Sequence, residues 1–225
     1  VTILITGTTR GIGEALAAHY LSLGHDVIGC GRTQVGMGDY RVCDVGNEED
    51  VTRLAEYVRK EYGNLDVLIN NAGAACMNHF LTTPIWSIEN VLHANFYGTV
   101  FMCQTFARIL RGGHGRIVNF TSAAVPWNLP GEAVYAASKA AVESLTRTLA
   151  FEFAPLGITV NAVGPTPTPT ALLGKMPQDK IDALLARQAI PRMATMEDIV
   201  NVVDFFVRAE SDYVTGQVIY LGGVS

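Results

Sequence analysis

The chain lacks most of the signals that would take it out of the class of ordinary α/β enzymes. No apolar run approaches the ~20 residues of a membrane-spanning helix. Its 4 cysteines, Cys30, Cys43, Cys76 and Cys103, form no C-x-x-C pair and have no histidine at ligand spacing, so a metal site is not expected and reduced thiols are. The 5 histidines are scattered, with no H-E-x-x-H. Charged residues make up only 16% of the chain, the net charge is −5, and blocks of like charge are missing. Such a balance gives no electrostatic case for nucleic acid or an anionic membrane as partner. The chain opens in a strand-like run rather than a secretory leader, and with reduced thiols this makes the cytoplasm the expected location.

What is present is apolar and alternating. At 49% hydrophobic over 225 residues, the chain can cover both faces of a large sheet. Strand patterns fall at Thr2–Thr6, Asp26–Cys30, Tyr40–Val42, Leu65–Asn70, Arg116–Phe120, Thr159–Val163 and Gln217–Tyr220. Helical periodicity lies between them, near Gly11–Leu23, Glu48–Tyr62, Ser87–Leu110, Tyr135–Phe153 and Met196–Arg208. That order predicts a single domain over residues 1–225, a doubly wound, mostly parallel, seven-stranded Rossmann sheet with helices on both faces. The Pro/Thr-rich stretch from Pro165 to Thr170 and a short helical pattern at Gln178–Ala189 interrupt it and read as a substrate lid at about 165–195.

The first strand-to-helix turn reads Thr6-Gly7-Thr8-Thr9-Arg10-Gly11-Ile12-Gly13. Glycines there let the backbone approach a pyrophosphate, whose charge meets amides at a helix N-terminus. The two other G-x-G stretches, Gly29-Cys30-Gly31 and Gly36-Met37-Gly38, open no periodic helix and read as turns. Further along, Tyr135 and Lys139 are one helical turn apart, with Ser122 upstream at the end of a buried strand. A phenol held by an ammonium loses its proton more readily, and a nearby hydroxyl can hold a substrate oxygen, which points to carbonyl chemistry.

These motifs, with Asp44-Val45, Asn70-Asn71-Ala72-Gly73, Asn95 and Asn161-Ala-Val-x-Pro165, in this order and spacing, resemble the compact short-chain dehydrogenase/reductase family from Thr2 to Gly223. The pattern is nearest to the 3-oxoacyl-carrier-protein reductase branch. The resemblance implies a catalytic set of Asn95, Ser122, Tyr135 and Lys139, with Asn95 holding a water in a proton relay through Lys139. It also implies a cofactor site of Gly7, Thr9, Arg10, Gly11, Ile12, Gly13, Asp44, Val45, Asn71, Ala72, Gly73, Tyr135, Lys139, Pro165, Thr168 and Thr170. A homodimer or homotetramer follows from the same likeness, through the helices at Ser87–Leu110 and Tyr135–Phe153.

Cofactor choice is read from charge. NAD sites usually place a carboxylate at the end of the second strand, roughly twenty residues past the glycine-rich turn. Here the stretch is Cys30-Gly31-Arg32-Thr33, so Arg32, with Arg10, is expected to bind a 2′-phosphate, and NADP(H) is preferred with NAD(H) left open. The segments Ala74–Met77, Ala123–Leu129 and Ala171–Leu173 are mostly apolar and favour a small ketone, secondary alcohol or acyl-type substrate. Neither Ile117–Ser138 nor Thr148–Gly174 holds a Lys or Arg to grip an acidic carrier, which leaves the carrier-linked substrate open. The other reading is a non-catalytic NAD(P)-binding redox sensor, although such proteins typically lose the Tyr or Lys found here.

Overall fold

The structure is a computed structural model that describes residues 1–110, 112–169 and 178–224. Short β-branched runs form the strands β1 (Thr2–Thr6), β2 (Asp26–Gly31), β3 (Asp39–Val42), β4 (Val67–Asn70), β5 (Gly115–Phe120), β6 (Ile158–Gly164) and β7 (Val218–Tyr220). All pair in parallel, in the order β3-β2-β1-β4-β5-β6-β7. The reversal of strand order between β1 and β4 opens a crevice at the carboxyl ends of the strands, where doubly wound sheets bind ligands.

Helices α1 (Gly11–Ser22), α2 (Glu48–Tyr62), α3 (Ile85–Leu92), α4 (Gly98–Phe106), α5 (Ala124–Trp127), α6 (Ala133–Phe153), α7 (Gln178–Leu185) and α8 (Met196–Val207) complete the order. Alternation along each strand divides the core in two. Leu4, Ile28, Leu68, Ile117 and Val160 face α2, α4 and α6, whereas Ile3, Ile5, Val27, Ile69 and Val118 face α1 and α8. Helix starts follow local chemistry: Asn47 caps α2 by accepting from Asp50 N at 3.0 Å, and Thr195 and Asp198 form a reciprocal capping box on α8.

Three expectations need correction. The helix expected over Ser87–Leu110 is not continuous. A π-helical turn, His93–Tyr97, separates α3 from α4, and the helix stops at Phe106, so that Leu110 forms a lone bridge with Leu65. Gly29-Cys30-Gly31 is strand, not turn. Added β-carbons there would sit 2.5 Å from Thr8 Oγ1 and 2.7 Å from the Tyr40 hydroxyl, so close packing explains both glycines. Third, the short helix after the Pro/Thr stretch ends at Leu185, and Gln188 to Ile190 instead fold back as Ala189 N and Ile190 N bond the carbonyls of Gly223 and Gly222. Residues 170–177 of the expected lid lie outside the described residues.

Candidate active site

The glycine-rich turn is built by close approach. Gly7 and Gly11 have φ of 76° and 65°, a region that disfavours side chains. A β-carbon on Gly13 would come within 2.2 Å of the Gly7 carbonyl oxygen and 2.5 Å of Asn71 Nδ2. Asn71 and Ala72 lock onto this turn from β4: Asn71 Nδ2 donates to Thr6 O at 2.9 Å, and both backbone amides donate to Thr6 Oγ1, at 3.0 and 2.9 Å. Among the described residues no side chain caps the start of α1, which leaves its first amides open to an anion. This cradle fits the pyrophosphate of a dinucleotide.

Around it stand the other expected contacts. Thr9 reaches the end of β2, its methyl 3.3 Å from the β-carbon position of Gly31. Ile12 is partly buried against the core under α1. Arg10 and Arg32 are exposed, and neither forms an ion pair or side-chain hydrogen bond among the described residues. Asp44 spends one carboxylate oxygen on Gly46 N at 3.0 Å, a local turn before α2. Val45 is buried against Gly98, which leaves only its backbone for an adenine. Pro165 carries the carbonyl that accepts from Ala123 N at 3.1 Å. Thr168 is buried and donates its hydroxyl to Thr166 O at 2.9 Å, and Thr170 lies outside the described residues.

Ser122, Tyr135, Lys139 and Asn95 converge on the same crevice. Ser122 follows β5, its hydroxyl accepts from Ala124 N at 3.2 Å, and it lies close enough to the Tyr135 phenol to draw it down. Lys139 is 5% exposed and donates Nζ–H to Phe120 O at 2.8 Å; burial pulls its ammonium down to about 8. Gly73 closes the gap, since a β-carbon there would lie 2.9 Å from Asn95 Oδ1 and 3.5 Å from Lys139 Nζ.

Two details bear on the expected roles. The Tyr135 phenol is pushed up, first by burial and then by the Glu132 charge, with only Ser122 pulling it down. The Lys139 ammonium is engaged by a strand carbonyl in this structure. Asn95, fully buried in the π-helical turn, has a satisfied side chain. It accepts from Ala74 N at 2.7 Å and donates to Ala74 O at 2.8 Å and to Ser138 Oγ at 2.9 Å, clamping the loop after β4 to α6. Ser138, which the sequence reading passed over, is its partner on α6. Glu132 was also missed, although its place three residues before Tyr135 is a readable helical spacing.

The cysteines match their expectation: Cys30, Cys43, Cys76 and Cys103 are free, and burial pushes Cys103 up to about 12. Among the described residues there is no cluster of metal-ligating side chains and no helix long and apolar enough to cross a membrane.

Comparison with known proteins agrees with this geometry. A family model described as enoyl-(acyl carrier protein) reductase matches residues 7–224. The short-chain reductase protein NovJ of Streptomyces niveus is 34% identical, over 98% of this chain and 92% of its own length. The 3-oxoacyl-[acyl-carrier-protein] reductase FabG of Escherichia coli is 29% identical, over 98% and 95%. Among solved structures, the ligand-free aldohexose dehydrogenase of Thermoplasma acidophilum superposes with a TM-score of 0.91 at 26% identity, covering 99% of this chain and 93% of that one. With sheet order, glycine-rich cradle and the Ser122–Tyr135–Lys139 convergence all in agreement, this chain is a member of the short-chain dehydrogenase/reductase family, a hydride-transferring oxidoreductase.

Proposed function

We propose that the protein is an NADP(H)-dependent reductase or dehydrogenase of a small, mostly apolar carbonyl or secondary alcohol, with Tyr135 as the proton donor and acceptor. The observation that carries this reading is the convergence of Ser122, Tyr135 and Lys139 beside a cradle shaped for a pyrophosphate. A bound nicotinamide supplies or takes the hydride. Ser122 holds the substrate oxygen, and Tyr135 passes the proton to it during reduction. Lys139 bonds the nicotinamide ribose and, once drawn from the Phe120 carbonyl toward the phenol, favours its ionised form. Asn95 acts by holding the loop after β4 against α6, which supports the floor of the site. The turn from Gly7 to Gly13, with Thr9 and Ile12, takes the pyrophosphate. Asn71, Ala72 and Gly73 line the crevice, and the Asp44–Val45 segment flanks the adenine. Pro165, Thr168 and Thr170 border the nicotinamide.

Turnover by the wild type in a spectrophotometric screen of NADPH consumption, over ketones, β-keto thioesters and quinones, would establish the reaction. Tyr135→Phe is expected to cut kcat by ~10²–10⁴, the usual size of a lost acid–base catalyst. Cofactor affinity should stay within about twofold. Near-normal turnover in that variant would reject the assignment.

The preference for NADP(H) rests on Arg32, just past the end of β2, and Arg10, in the turn before α1, exposed cations without an ion pair or side-chain hydrogen bond among the described residues, at a strand end where a carboxylate would repel a 2′-phosphate. Arg32→Ala should lower kcat/KM with NADPH by ~10-fold or more, the loss expected for one charge-assisted contact, and leave NADH almost untouched. Equal use of both cofactors by the wild type would remove the preference.

A further inference from the structure

Glutamate is seldom fully buried unless its charge is met, and Glu143, midway along α6, is only 5% exposed. Three donors meet it there. The Thr121 hydroxyl, just past β5, donates to Oε1 at 2.7 Å, and the Tyr220 hydroxyl of β7 donates to the same oxygen. Arg147, one turn further along α6, brings its guanidinium to 3.4 Å from Oε2. Tyr220 arrives across β6. A β-carbon on Gly164 would lie 2.3 Å from Tyr220 Cδ1 and 3.1 Å from the Thr121 methyl, so this glycine leaves the room that the phenol fills. Burial, and then the carboxylate, push the Tyr220 phenol up, which keeps it a donor.

Both elements that carry the reacting groups pass through this knot. Thr121 is the residue before Ser122, and its hydroxyl also reaches Lys139 O at 3.4 Å, the carbonyl one helical turn before Glu143. From the other side, the Lys139 ammonium ties back to Phe120 O at 2.8 Å, one residue before Thr121. The strand end that bears Ser122 is thereby stitched to the helix that bears Tyr135 and Lys139. The pyrophosphate cradle is built elsewhere, from β1, α1 and the segment after β4.

We infer that Glu143 is a positioning residue for the hydride-transfer reaction: its carboxylate holds the Thr121–Ser122 strand end against α6 and so sets the Ser122 hydroxyl relative to the Tyr135 phenol and Lys139. The inference rests on the hydride-transfer reading of the Tyr135 site. A carboxylate suits the place because it accepts from several donors at once and carries no hydrogen that would face one of them. Glu143 moves neither proton nor hydride. It governs the separation at which the reacting groups meet, where an error of about 1 Å costs ~10²-fold in rate.

The test takes the ketone reduced fastest in the NADPH screen and measures kcat and nucleotide Kd for each variant. Glu143→Leu, which removes the acceptor, is expected to lower kcat by ~10–100-fold while nucleotide Kd stays within about threefold, because the cradle does not depend on this link. With NADPH dideuterated at C4, its isotope effect on kcat should be at least as large as that of wild type, as slower hydride transfer requires. Glu143→Gln, whose amide oxygen still accepts from Thr121, should recover most of the lost kcat. Thr121→Val removes the other end of the link and should reproduce the loss. The double variant Thr121→Val/Glu143→Leu should then be no slower than the slower single one, as for residues that act as a unit. Folded Glu143→Leu with wild-type kcat, a loss shared equally by nucleotide affinity, or losses that multiply in the double variant would overturn the inference and leave the Tyr135 assignment standing. If Glu143→Leu does not fold, Thr121→Val decides alone, and an unchanged kcat there overturns the inference. Failure of wild type to turn over any ketone, or near-normal turnover by Tyr135→Phe, would overturn both readings.

Discussion

Lys139 illustrates how one side chain carries opposite pH signatures for stability and for ligand binding. Burial holds its ammonium near pKa 8, below the ordinary lysine value of ~10.4. Between those values the unfolded chain binds a proton that the folded chain does not, so stability attributable to Lys139 rises with pH across that window and the desolvation cost is fully present below it. Cofactor binding runs the other way if the charged amine grips the ribose. Above about pH 8 the amine must first be protonated, and the Kd should weaken ~10-fold from pH 7 to 9. Lys139→Met should abolish both slopes, which denaturation and cofactor titration over that pH range would detect; a flat wild-type Kd would show that the neutral amine suffices. The positions of Ser122, Tyr135 and Lys139 on strand end and helix were legible because helical spacing is local. The direction of each polar group was not. That the Lys139 ammonium reaches back to a β5 carbonyl, and that burial pushes the Tyr135 phenol up, depends on how α6 lies across the sheet.

Among the elements, the turn between β1 and α1 is where sequence and structure agree most closely. A G-x-x-x-G-x-G pattern between strand and helix encodes backbone proximity directly, and the separation of Gly13 from the Gly7 carbonyl leaves no room for a methyl. Gly13→Ala must push α1 off β1, an overpacking that costs ~1–3 kcal/mol and widens the pyrophosphate cradle. Gly24→Ala is the control: its φ is +78° but nothing lies within 4 Å, so it carries backbone strain alone. Both variants should melt lower, but only Gly13→Ala should lose cofactor affinity, as calorimetry with and without nucleotide would reveal. Longer-range features left weaker traces. The π-helical turn at His93–Tyr97 inserts into a segment whose apolar spacing reads as one helix, and its purpose, aiming Asn95 at Ala74 and Ser138, is visible only once those elements are packed. The glycines of β2 answer to Thr8 in the β1–α1 turn and to Tyr40 on β3, contacts set by how these segments pack.

For the whole molecule, the order of strands was recoverable from β/α alternation because right-handed crossovers leave few ways to wind a parallel sheet. The buried chain from Asn70 Nδ2 to Asn119 Oδ1, at 2.9 Å, and on from Asn119 Nδ2 to Thr146 Oγ1, also 2.9 Å, then fixes how β4, β5 and α6 meet beneath the site. What the outer surface does is a separate question of unburied apolar area. Ile85 and Trp86 at the start of α3 are 69% and 70% exposed, and Phe151 near the end of α6 is 84% exposed, on neighbouring helices that a lone subunit leaves facing water. Covering such side chains with the same helices of a second copy would remove that cost by a two-fold interface. Light scattering should therefore report a dimer or tetramer for wild type. Trp86→Glu and Phe151→Glu, which place unpaired carboxylates in the interface, should lower the mass toward one subunit by costing ~2–5 kcal/mol of association each if the positions are buried. Because the Ser122–Tyr135–Lys139 set lies within one chain, a dissociated variant that keeps cofactor binding would separate assembly from chemistry, and a wild type that is monomeric at micromolar concentration would leave those aromatics without the proposed partner.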